Sequence, residues 1–187
     1  MGSAIHESLS RFPKLVAKRN FDALESIFSN QAREWSGRSL ARKIGEVDLE
    51  TYQARLALGL AKAERSAEEH RAQAVYFEYD VNNGWDGRFF VCAAYAPPSA
   101  GDDSWAEEFI EQFEGPGIPE FAGLLQEFGF ERTDQAKGCT LYMIARTVAS
   151  LGRCVDPGSP SKAALCIGYR GQNPLLRIRE GRSRSGP

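Results

Sequence analysis

Apolar and polar positions alternate most clearly between Ala74 and Tyr95, in the stretch AVYFEYDVNNGWDGRFFVCAAY, and this period-two pattern predicts two strands joined by a turn. Val75, Phe77, Tyr79 and Val81 share one face of the first strand, which runs from Ala74 to Asp80, while Tyr76, Glu78 and Asp80 share the other. Asn82, Asn83 and Gly84, followed by Asp86-Gly87, tolerate the backbone angles of a reversal. They fit a loop of about four to six residues better than a two-residue hairpin. The return strand is predicted from Arg88 to Tyr95. Its Phe89, Val91, Ala93 and Tyr95 fall on one side and Phe90, Cys92 and Ala94 on the other, so it lacks a polar face and belongs in a central or doubly covered position.

Helical spacing governs the N-terminal third. Ile5, Leu9 and Phe12 recur at helical intervals before Pro13, and Phe21, Leu24, Ile27, Phe28 and Trp35 form a second series, with Asn20 as N-cap and Gly37 just past the end. Asp48 can cap a long helix whose Leu49, Tyr52, Leu56, Leu60 and Ala63 share a face. Gly59 inside it costs roughly 1 kcal/mol relative to alanine, which implies a close approach by another backbone. After the APPSAG break at 96–101, Asp102 or Asp103 is expected to cap a helix carrying Trp105, Phe109, Ile110 and Phe113 and ending at Gly115. Pro119 begins a further helix with a Phe121, Leu124, Leu125, Phe128 stripe and a stop at Gly129. Leu141, Ile144, Ala145, Val148 and Leu151 continue the helical pattern to Gly152, although their β-branched content leaves a strand reading open. Strands return in Ala163 to Tyr169 and Leu175 to Ile178. The predicted fold is α+β: one domain over residues 1–180, a mostly antiparallel central sheet built around the hairpin with helices packed against it, and a mobile basic tail at 181–187.

A chain of 187 residues suits one such domain, and 42% hydrophobic with 26% charged residues is ordinary for a packed protein rather than a disordered one. The formal net charge of −2 argues against a nucleic-acid partner. Arg177, Arg179, Arg182 and Arg184 could touch such a polymer, yet a short basic tail on an acidic domain reads as a solvated terminus. The opening MGSAIHESLSRF has no basic flank before an apolar run, and no stretch is long enough to span a bilayer, so the expected location is the cytoplasm with no membrane partner. Cys92, Cys139, Cys154 and Cys166 form no Cys-x-x-Cys pair and lie far in sequence from His6 and His70, which argues against zinc and for buried reduced thiols; two disulfides remain arithmetically possible. No cofactor is expected.

Two sets of residues could carry function. Glu78, Asp80 and Asp86, drawn together by the hairpin, could hold a divalent metal or do acid/base work, which would make the protein a metal-assisted hydrolase. Carboxylates beside a turn more often cap or solvate it, and no nucleophile or phosphate-binding loop accompanies them, so the protein is read as not an enzyme. The second set follows from charge. No Lys or Arg occurs between Phe89 and Glu131, and Asp103, Glu107, Glu108, Glu111 and Glu114 crowd onto the predicted acidic helix as a footprint for a basic protein partner. Trp85 and Tyr76 are candidate exposed anchors beside it.

The segment YFEYDVNNGWDGRFFVCAAY, the Asp-Ser-Trp-Ala-Glu-Glu run at 103–108 and GPGIPEF resemble a pattern seen in small bacterial proteins, and the chain is similar in style to immunity proteins of polymorphic toxin systems. GPGIPEF with its amphipathic helix also resembles the SUKH superfamily of immunity proteins, where that element usually opens the domain rather than following a hairpin. The resemblance implies a non-enzymatic protein that binds one cognate toxin domain and blocks its active site or substrate access.

Overall fold

A computed structural model describes residues 4–181 apart from 131, 157 and 160. Except at Gly181, the predicted mobile tail lies outside the described residues. The chain opens with α1 (Ala4–Leu9), α2 (Phe12–Ala17), α3 (Phe21–Ser36), α4 (Arg38–Gly45) and α5 (Glu50–Glu69), and then forms the hairpin of β1 (Ala74–Asp80) and β2 (Asp86–Cys92). The Asn20 side chain caps α3 as predicted, accepting from the Ala23 amide at 3.1 Å, whereas α5 is capped at Leu49 rather than at the predicted Asp48, which sits one residue earlier and accepts from the Glu50 amide at 2.9 Å. Two single turns of 3-10 helix, Pro98–Ala100 and Ser104–Glu107, precede β3 (Phe109–Glu114). After them come α6 (Pro119–Phe128), α7 (Asp134–Cys154), β4 (Ala164–Tyr169) and β5 (Leu176–Arg179).

The strands form one five-stranded sheet in the order β3-β2-β1-β4-β5. Every neighbouring pair is antiparallel except β1 and β4, which run parallel with Phe77 opposite Ile167. The hairpin is central as predicted, with Phe77 opposite Phe89, although β2 starts and ends earlier than expected. One face of the sheet carries Val75, Phe77, Tyr79, Phe89, Val91, Leu165 and Ile167 into a single core shared with all seven helices. The close approach inferred at Gly59 is made by a side chain rather than a backbone: a Cβ there would drive into the Phe89 ring. Helix α7 lies through the middle of this core and is buried almost all round, which settles the open choice at 141–152 in favour of helix. Its buried hydroxyls are satisfied locally, Thr140 donating to the Phe130 carbonyl at 2.7 Å and Thr147 to the Met143 carbonyl at 2.9 Å.

Among the described residues, the opposite face carries no α-helix. Ala74, Tyr76, Phe90, Cys92, Ala164, Cys166 and Leu175 form a smaller cluster there, sealed by a strap that runs from Tyr95 through Trp105. Tyr95 and Trp105 meet edge to face with ring centroids 5.2 Å apart. An ion pair between Asp103 and Arg177 pins the strap to β5, and Asp103 also accepts from the Leu175 amide at 2.7 Å. All four cysteines are free; burial pushes the Cys92 thiol up to about 12 and raises the Cys166 thiol as well, so neither is a poised nucleophile. Among the described residues, no helix is long and apolar enough to cross a membrane.

The predicted acidic helix from Asp103 to Glu114 is overturned: only Ser104–Glu107 makes a helical turn, and Phe109–Glu114 is an edge strand. Strand β2, apolar on both faces, needs a hydrogen-bonded neighbour on its outer side, which β3 supplies and a helix could not.

Candidate functional site

The partly covered face of the sheet holds an open cleft of 640 Å3. Strands β1 and β2 provide its floor through Tyr76, Glu78 and Phe90, because these side chains alternate away from the helical core. The strap supplies one wall with Asp102, Ser104 and Glu107, and β3 adds Phe109, whose ring meets Phe90 edge-on at 5.1 Å. Arg170 and the turn Gly171–Asn173 close the other side. The Tyr76 hydroxyl donates to Glu78 at 3.3 Å, and desolvation raises the Glu78 carboxyl above its ordinary range despite that bond and nearby Arg170. Asp102 is shifted the other way, held low by the Ser104 backbone amide and then the Ser104 hydroxyl. Aromatic faces beside carboxylates make a surface that receives cationic side chains.

The hairpin carboxylates do not form the triad envisaged for hydrolysis. Asp80 is engaged by Arg170 at 3.2 Å and by the Asn82 amide at 2.9 Å, and Asp86 stands opposite it at the start of β2. Among the described residues, no three His, Cys, Asp or Glu side chains are grouped to hold a metal ion.

The structure divides the residues predicted to bind a partner. Glu107, Glu108 and Glu114 are exposed, and among the described residues their side chains have neither an ion-pair nor a hydrogen-bond partner. Glu111 is half-buried on the helical side, where it accepts from the Ser66 hydroxyl of α5, so it is not the solvent-facing charge expected. Asp103 is committed to Arg177, with the two side chains only 10% and 8% exposed. That pair also corrects the picture of free C-terminal arginines, since Arg179 likewise meets Glu64 at 2.7 Å; Arg182 and Arg184 lie outside the described residues. Trp85 is 0% exposed and cannot be a surface anchor. It stacks on Tyr79, meets Phe121 edge-on and donates from Nε1 to Thr147 at 3.0 Å. Tyr76 is buried too, although it lines the cleft floor.

What the sequence reading missed is the pair of exposed apolar side chains on β3, Phe109 at 42% and Ile110 at 45% exposure. FIEQFE gives no period-two signal by which to find them, since its apolar residues fall at 109, 110 and 113; only the burial of the folded strand alternates. At β3 the ladder carries a bulge opposite Val91 and Cys92, and Ile110 is the extra residue. Comparison of the chain with protein-family models, curated proteins and solved structures finds no significant match.

Proposed function

We propose that this is a binding protein that captures a basic protein partner, in the manner of an immunity protein neutralising a toxin domain, through the acidic margin formed by β3 and the end of the strap. One observation carries the reading: among the described residues Glu107 and Glu108 stand exposed without ion-pair partners and Glu114 stands exposed with Arg88 across the ladder, beside exposed Phe109 and Ile110 on the sheet's edge. Apolar anchors flanked by like charges are the composition of an interface whose rim steers an oppositely charged partner and whose centre holds it. The stretch from Phe89 to Glu131 offers no Lys or Arg to neutralise the margin from within. The nearby cations are Arg88, opposite Glu114 across the ladder, and Lys62, whose Nζ lies 3.9 Å from the Phe113 ring on the helical side.

The test is co-expression with the protein encoded beside this gene, taken as the toxin. Glu107→Lys, Glu108→Lys and Glu114→Lys combined, with Glu111 left in place because it serves α5, is expected to melt like the parent and to lose protection. Added salt is expected to slow association in the parent more than in the variant. A folded variant that protects as well as the parent at matched low expression places the interface elsewhere.

A further inference from the structure

The register of β3 determines which of its backbone groups face outward. Gly115 donates its amide to the Gly87 carbonyl at 2.8 Å, and Phe113 and Glu111 stand opposite Phe89 and Val91. Because antiparallel pairs alternate between bonded and non-bonded positions, Glu111 and Phe113 turn their amides and carbonyls to β2. Gln112 and Glu114 turn theirs to the outside. β3 is the last strand on this side of the sheet, and Ile110, Gln112 and Glu114 are all exposed. An open edge of this kind is a template for another strand unless something opposes it.

Charge decides what that strand can be. A second copy of β3 brings further glutamates and no cation to an edge that is already acidic, so self-pairing gains nothing from charge. The same glutamates favour an incoming strand with Lys or Arg at alternate positions. Its cations would lie on the side of the sheet where Glu114 lines up with Gln112.

Resting on the proposed capture of a basic partner, we infer that the capture works by strand addition: an extended segment of the partner, basic at every second residue, pairs with the outer edge of β3 through the backbone of Gln112 and Glu114. The side chains set the preference for basic segments, and the ladder supplies the geometry.

The experiment uses the full chain and an acetylated peptide, Lys-Val-Lys-Thr-Lys-Val-Lys, with two controls: the same peptide with Glu for Lys, and the same peptide N-methylated at alternate backbone positions. Hydrogen exchange is followed at the Gln112 and Glu114 amides. The basic peptide is expected to bind and slow exchange at both, the Glu peptide not to bind, and the N-methylated peptide to bind about 25-fold more weakly, reflecting two lost backbone hydrogen bonds. Gln112→Pro removes an outward donor without touching the ladder to β2, a position where edge strands accept proline, and is expected to weaken binding about fivefold for one lost bond. Should that variant melt early, exchange at Glu114 in the parent carries the test. Binding that survives N-methylation and leaves Gln112 and Glu114 exchanging freely overturns strand addition while the acidic capture stands. No binding by the basic peptide, together with full protection by the Glu107, Glu108 and Glu114 charge-reversal variant, overturns both. A shift of the free protein to a dimer that protects the same amides shows a second copy as the occupant and overturns the assignment to a basic segment.

Discussion

The two faces of the sheet are built from the same strands and treated in opposite ways. Toward the helices, Phe77 and Phe89 pack at 4.7 Å between ring centroids inside a core that reaches from Ile5 to Ile178. Toward the strap, Tyr76 and Phe90 stack at 5.7 Å, but only Trp105 and its neighbours lie over them. The first face gains stability by excluding water over a large apolar area, and the second relies on one ion pair and a few rings. A surface given over to stability has no room for a ligand. The thinly covered face has a cleft and an exposed rim, and its charge is available for other uses.

Phe77→Ala strikes the sealed face and is expected to cost about 3 to 5 kcal/mol, since that ring is fully buried. Denaturant unfolding measures it, and a loss below about 1 kcal/mol contradicts the assignment of this face as the source of stability. Asp103→Asn strikes the other face. It keeps an acceptor for the Leu175 amide but leaves Arg177 buried without a counter-charge, which costs about 3 kcal/mol. The loss should be visible first as faster hydrogen exchange in β5 and the strap, with the helical core affected less. Uniform loosening of both faces would show that the strap is as integral to the core as α7.

The difference between the faces also explains what could be read in advance. The hairpin, the long helices and the cap at Asn20 were legible because local pattern and tertiary packing agree there. The segment from Asp103 to Glu114 misled because its glutamates and aromatics recur at helical spacing, so nothing local separates its strand from a helix. Only the unpaired edge of β2, a long-range requirement, decides between the two. Trp85 follows a polar turn at a positive φ of 56°, and nothing local says that its ring turns inward to Thr147, 62 residues away. The ion pair of Asp103 with Arg177 joins positions 74 apart and is equally invisible to pattern. The exposure of the glutamates at 107, 108 and 114 was legible because charge composition survives an error in secondary structure.

Glu78→Gln makes the smallest change and sharpens the contrast between the two carboxylates of the cleft. Desolvation raises the Glu78 carboxyl, so the folded protein takes up this proton more readily than the unfolded chain. The ionised form therefore opposes folding at neutral pH, and that opposition is relieved as the pH falls through the folded-state value. Glutamine cannot titrate, so the variant is expected to melt slightly above the parent at neutral pH, with the gap narrowing on mild acidification. Asp102, held low by Ser104, has the opposite sign: its contribution is present above the unfolded-state value and lost as the pH falls through the folded one. Asp102→Asn should accordingly melt slightly below the parent at neutral pH, and this gap too should narrow, from the other side. Parallel melts of the parent and both variants across this pH range give the comparison directly. If the Glu78→Gln gap widens on acidification, Glu78 is stabilised as a carboxylate by Tyr76 and Arg170, and the floor of the cleft already holds its charge without a partner's cation.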